Sequence, residues 1–142
     1  MNKIPDKPSE LLKLAMTDLE LVEKDKRYVI DMNTWHSPYN DKCAVCMAGA
    51  VMAKELELPV HIDSHPDHFQ YDLMRKFNAI NYFRTGNFEY AFRNLCVPLV
   101  GSLPDFYARP CENGIDYLSR SDREEWKLHM CTIIGILESE GL

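Results

Sequence analysis

Cys43 and Cys46 are the residues with the most chemistry to offer, a C-x-x-C pair inside Cys43-Ala-Val-Cys-Met-Ala-Gly-Ala-Val-Met-Ala53. If this uncharged stretch is helical, both thiols sit at the helix's amino end, where the dipole lowers a thiol's pKa and favours a reactive thiolate. The same pair could supply two of the four ligands of a structural zinc site, with His36 as a nearby third. A second group lies just downstream, in His61-Ile-Asp-Ser-His-Pro-Asp-His68. His61, His65 and His68, with Asp63 and Asp67, have the ligand types that hold a divalent metal and activate a bound water. The plain alternatives are two small apolar side chains in a core, and a polar helix entrance where Ser64 or Asp67 meets the first amides.

A third group is aromatic. Eight of the thirteen Phe and Tyr residues fall between Phe69 and Phe92, interleaved with Arg75, Lys76, Arg84 and Arg93. Aromatic rings beside arginines are what protein-binding hot spots use. Helical spacing assigns Phe77, Ile80 and Phe83 to a core, which leaves Tyr71, Tyr82, Arg84 and Tyr90 as partner-binding candidates. Gly-rich phosphate loops, a nucleophile elbow and a Ser-His-Asp spacing are not found.

These residues need a scaffold, and the chain predicts an all-α one: a single compact bundle of about five helices around a central apolar helix, 43–56. The first helix is expected from Pro8 to Lys24, with Pro8 at its start and Leu12, Ala15, Leu19 and Val22 on one stripe. Residues 27–35 read as extended, and His36 to Asn40 as a turn, with Asn40 or Asp41 capping the apolar helix. Pro59 closes that helix and a third starts near Pro66, its stripe being Phe69, Leu73, Phe77, Ile80 and Phe83. Gly86 and Asn87 separate it from a short fourth helix ending near Cys96. A Pro- and Gly-rich loop is expected over 97–119. Ser121 and Glu124 form a capping box for the fifth helix, whose face is Trp126, Met130, Ile133, Ile134 and Leu137.

Composition narrows the function. The 142 residues are 46% hydrophobic and 27% charged, an ordinary globular balance for one domain. A net charge of -6 with no basic run disfavours nucleic acid. No segment reads as a membrane span or a secretory leader, so a cytoplasmic protein is expected. An odd count of five cysteines, two of them in the most apolar stretch, points to reduced thiols.

Three resemblances bear on these readings. The helical C-x-x-C resembles that of the alkylhydroperoxidase-D-like family, yet Ala48, Gly49 and Ala50 stand where that family has a proton-relay His. Asp63-Ser-His-Pro-Asp-His68 resembles the metallo-β-lactamase signature with Asp63 in place of its first His. Over residues 8–56, an amphipathic helix, Trp35 and then Cys43-Ala-Val-Cys46-Met-Ala-Gly-Ala resemble a group of small uncharacterised bacterial and phage proteins. That resemblance implies a helical fold and a phage or mobile-element origin, with no activity attached.

With no complete catalytic constellation, the expected function is a non-enzymatic, acidic protein-interaction or regulatory protein that holds no cofactor and binds another protein. The alternatives are a thiol redox protein using Cys43 and Cys46, and a metal-binding protein using those thiols or His61, His65 and His68.

Overall fold

The computed structural model of the chain describes residues 4–85 and 120–142. Among them are four α-helices and a three-stranded sheet, in the order α1 (Pro8–Glu23), β1 (Tyr28–Ile30), β2 (His36–Tyr39), β3 (Lys42–Val45), α2 (Met47–Glu55), a 3-10 turn (Pro66–His68), α3 (Tyr71–Thr85) and α4 (Arg120–Ser139). The sheet overturns the all-α expectation: the fold is mixed, α with β. The expected fourth helix and the 97–119 loop lie outside the described residues.

α1 follows its sequence signals. Pro8 opens it, Glu10 sits in the first turn, and Leu11, Leu12, Ala15, Leu19 and Val22 are buried. α4 runs antiparallel along it, since Lys13 pairs with Glu138 at 2.7 Å and Glu23, ten residues on, pairs with Lys127 at 3.5 Å. Met130, Ile133, Ile134 and Leu137 are its buried face, as the spacing predicts. α4 is already helical at Arg120, so Ser121 lies within it rather than capping it.

The largest correction falls on the central apolar stretch. Lys42–Val45 forms the middle strand, and the helix starts only at Met47. β1 lies parallel to β3, with Tyr28 opposite Cys43 and Ile30 opposite Val45. β2 lies antiparallel on the other side, with His36 opposite Val45 and Tyr39 opposite Lys42. Both edge strands therefore lend backbone hydrogen bonds to this stretch, which is buried from Cys43 to Val45, as central strands are. Asn40 does not cap a helix. It takes φ 54° in the tight turn between β2 and β3, a left-handed conformation that Asn tolerates better than most residues.

This topology forces one close crossing. β1 ends, β2 begins and β3 ends at the same end of the sheet, so residues 31–35 must pass across the point where the chain leaves β3 for α2. Asp31 ties this connection down: its amide donates to the Val45 carbonyl at 2.9 Å, and its carboxylate accepts from the Asn33 amide at 2.9 Å. The Trp35 carbonyl then accepts from the Cys46 amide at 3.3 Å. It comes so close to Gly49 that a Cβ there would fall inside the carbonyl oxygen.

α2 is central, as expected, with Met47 through Ala53 all buried. α3 buries Phe77 and Ile80, and Phe69 and Leu73 pack partly against them. Phe69 meets Phe77 edge-on at 5.3 Å between centroids. The expected helix start at Pro66 is a separate 3-10 turn, broken from α3 at extended Phe69. At the start of the described chain, buried Lys76 gathers Asp6 at 2.6 Å, Asp72 at 3.1 Å and the Ile4 carbonyl at 3.1 Å, one acceptor for each ammonium proton.

Candidate functional site

Cys43 and His36 meet at the end of the sheet. They occupy diagonal positions on β3 and β2, two residues out of direct register and therefore on one face. The Cys43 sulfur lies 3.5 Å from Nδ1 and 3.5 Å from Nε2 of His36, and both residues are fully buried. His36 Nδ1 lies 2.7 Å from the Ile62 carbonyl oxygen, which can only accept, so Nδ1 carries a proton and donates. A nucleophile and a base held by a third group are the parts of a thiol catalyst. Their alignment is not. A sulfur equidistant from both nitrogens lies off the line of either lone pair, so the thiol proton has no in-line path to Nε2. Burial pushes the Cys43 thiol up to about 11; the Ser37 amide lowers it, and Asp63 raises it further. At neutral pH the group is a thiol, not a thiolate.

Cys46 has a different task. It is the N-cap of α2, its sulfur accepting from the Gly49 amide at 3.4 Å and lying 3.9 Å from the Trp35 carbonyl oxygen. So the redox alternative's two residues are present as free cysteines, one in a strand and the other closing a helix end, not together on a helical turn.

The histidines divide. His65 Nδ1 accepts from the Asp67 amide at 3.2 Å, and His68 Nδ1 accepts from the His65 amide at 3.2 Å, so the two imidazoles close the 3-10 turn reciprocally. This capping role was expected of Ser64 or Asp67. Ser64 instead pairs backbone with His36 on the outer edge of β2, its amide donating to the His36 carbonyl at 2.8 Å. His65 also stands edge-on to Trp35, at 5.5 Å between centroids. His61 is exposed and lines a separate cleft. His61, His65 and His68 therefore do not converge, and among the described residues no three His, Cys, Asp or Glu side chains are placed to hold a metal ion.

Of the partner-binding candidates, Tyr71 is 72% exposed at the start of α3. Tyr82 is half-buried against the core. Arg84 lies within α3, but its side chain is outside the described residues, as is Tyr90 altogether. The sequence reading missed Tyr39, 59% exposed at the tip of the hairpin, and Ile62, 38% exposed in the segment that crosses the edge of β2; Leu21 of α1 and Leu128 of α4 are also exposed. Ser37 and Asp63 fasten that segment to the strand through a 3.1 Å hydrogen bond.

A cleft of about 530 Å³ opens between the start of β1 and the end of α2, lined by Arg27, Tyr28, Lys54, Leu58, Val60 and His61 among others. Its base is an ionic clamp. Asp25 accepts from Arg27 Nη2 at 2.8 Å and from Lys54 Nζ at 3.0 Å. The two cations also lie 5.4 Å and 5.3 Å from the centre of the Tyr28 ring, within cation–π range. Arg27 first, and then Lys54, hold the Asp25 carboxyl well below the usual carboxylate range, while burial raises the Tyr28 hydroxyl. On the core side of this clamp, Asp18 of α1 is only 2% exposed. Burial, and then the neighbouring Glu55 carboxylate, push it up to about 8.

Compared with known proteins, the chain matches no family model, no curated protein and no solved structure. Among the described residues, no helix is long and apolar enough to cross a membrane.

Proposed function

We propose that this is a non-enzymatic interaction protein, which docks another protein on the side carrying Tyr39, Ile62 and Tyr71. The reading rests chiefly on the exposure of these three side chains, at the end of β2, in the segment that fastens to it and at the start of α3. Exposed aromatic side chains are a residue type that protein-binding hot spots favour. Exposed Asp41, Asp63 and Asp67 lie within a few residues of them in sequence, in a chain of net charge -6, so the partner is expected to offer an apolar pocket rimmed with Lys or Arg. A partner of that kind associates faster at low salt.

The thiol alternative draws support from the contact of Cys43 with His36, but the sulfur is enclosed and its proton is held. We therefore give the cysteines a packing role.

A photoreactive amino acid at position 71, set against one at Lys13 on the α1–α4 side, tests the docking reading in cells of the source. A discrete adduct from position 71, absent from position 13 and lost in the Tyr39→Ala background, is the expected outcome. Equal labelling from both positions, or an adduct indifferent to Tyr39, would refute the assignment of this side.

A further inference from the structure

Asp18 is an anomaly on the core face of α1. It lies in the stripe of Leu11, Ala15, Leu19 and Val22, where α1 packs against α2. Its Oδ2 is buried and no hydrogen-bond donor reaches it. A buried carboxylate oxygen with no donor keeps the full cost of losing its water. What faces it is another acceptor, the carboxyl group of Glu55 in the last turn of α2. Two carboxylates cannot both ionise in such a place, and the unsatisfied oxygen is satisfied if it carries the proton itself and donates it to its neighbour.

We propose that buried Asp18 holds a proton against the carboxyl group of Glu55, and that this proton is a pH-operated latch between α1 and the carboxyl end of α2. No co-reactant is needed: an O–H bond on Asp18 is kept or lost to water. When the proton leaves, two negative charges face one another across the helix interface, and the last turn of α2 is pushed outward. That turn carries Lys54, and the residues after it form one wall of the cleft, so the latch governs the cleft's geometry.

From α2, Lys54 also faces Asp18 and favours its ionisation, but its ammonium is tied to Asp25 ahead of β1. β1 brings Tyr28, beneath the same ammonium. Among the described residues, the charged groups of α4 that reach α1 are Lys127, on Glu23, and Glu138, on Lys13. From α3, Arg75 and Lys76 are engaged by Asp72 and Asp6.

The sign follows from proton counts. Unfolded, the Asp18 carboxyl titrates at an ordinary carboxylate's 3.8; folded, at about 8. Between these the folded state holds one proton more, so this group's contribution to stability falls as pH rises from about 4 to about 8, and is constant above.

Carbon-detected NMR of the intact chain tests the latch. The Asp18 side-chain carboxyl should titrate with a midpoint above pH 6.5, and amide exchange in residues 52–58, corrected for its intrinsic pH dependence, should quicken between pH 6 and pH 9. Asp18→Asn, which donates to Glu55 without a charge, should keep those amides equally protected at both pH values. Should Asp18→Asn fail to fold, Glu55→Gln serves: it removes the facing charge, and the Asp18 midpoint should drop by about one unit or more. An Asp18 midpoint near 4, or one unmoved by Glu55→Gln, overturns the proposal, as does exchange with the same pH response in Asp18→Asn.

Discussion

Gly49 lies directly beneath the carbonyl oxygen of Trp35, with no room for a Cβ between them. This contact follows from topology. The connection from β1 to β2 must cross the mouth of β3, and α2 leaves that mouth at the same level. Only the residue without a side chain lets the crossing strand and the helix share the space. Gly49→Ala is therefore expected to destabilise the protein by roughly 1–3 kcal/mol, despite the higher helix propensity of Ala. Urea unfolding of the pair checks it; a neutral or stabilising Gly49→Ala would mean the crossing relaxes freely.

His36 should be needed for folding and not for reactivity. Its Nδ1 satisfies the Ile62 carbonyl, and its ring fills the space beside Cys43. His36→Ala leaves an unsatisfied carbonyl and a cavity, a loss on the order of 2–4 kcal/mol. In the wild type, a water-soluble thiol reagent should modify exposed Cys131 at once and spare Cys43 and Cys46 until denaturant is added. Rapid native labelling of Cys43 would reopen the thiol reading.

Two acids work in the opposite sense to Asp18. Arg27 holds Asp25 down, and Arg75 followed by Lys76 holds Asp72 down. A carboxyl lowered in the folded state contributes stability that is fully present above its unfolded value, near 4, and fades as pH falls through the folded one. Melting temperature should therefore peak at moderately acid pH and decline on both sides. Asp25→Asn should blunt the acid decline while leaving the alkaline one, which a thermal-melt series from pH 3 to pH 9 resolves.

Lys76 anchors residues 4–6 onto α3 through two acceptors, Asp6 and the Ile4 carbonyl, while Asp72 of the same helix holds its ammonium in place. Lys76→Met keeps most of the apolar stem but abandons the Ile4 carbonyl and both carboxylates, for a loss of roughly 1–3 kcal/mol. Proteolysis near Ile4 should quicken in the variant. Equal rates would show that the strap is held by other contacts.

The helices with clear periodicity were legible. α1 has Pro8 and its apolar stripe, α4 has Met130, Ile133, Ile134 and Leu137, and the core positions Phe77 and Ile80 of α3 were named from spacing alone. The segment Lys42–Val45 was not. An unbroken apolar run gives no period, so a buried strand and a buried helix look alike, and here the boundary falls inside the run, at Cys46. Tyr28, Val29 and Ile30 did carry a β-branched and aromatic signal, but their partner lies more than a dozen residues on. Asn40 reads from its type as either a turn former or a helix cap, and the structure uses it as the first, between β2 and β3. His65 and His68 looked like ligands because their types match those of ligands. Their spacing in fact suits a reciprocal cap on a 3-10 turn, a use of imidazole that residue type does not announce. Asp18 was invisible for the opposite reason: a lone acid on a helix reads as a solvated charge, and only the packing of α1 on α2 shows otherwise.

The parallel pairing of β1 with β3 also sets an order of assembly. As the chain emerges from a ribosome, β1 appears early and stays unmatched, because its neighbour in the sheet is made only after β2. The β2–β3 hairpin can close as soon as it is synthesised, needing nothing but its own turn. β1 must then be threaded onto the far side of that hairpin while residues 31–35 settle over the nascent α2. Accordingly, the slow event in folding is expected to be this docking, and substitutions at the crossing should retard refolding more than those in the hairpin turn.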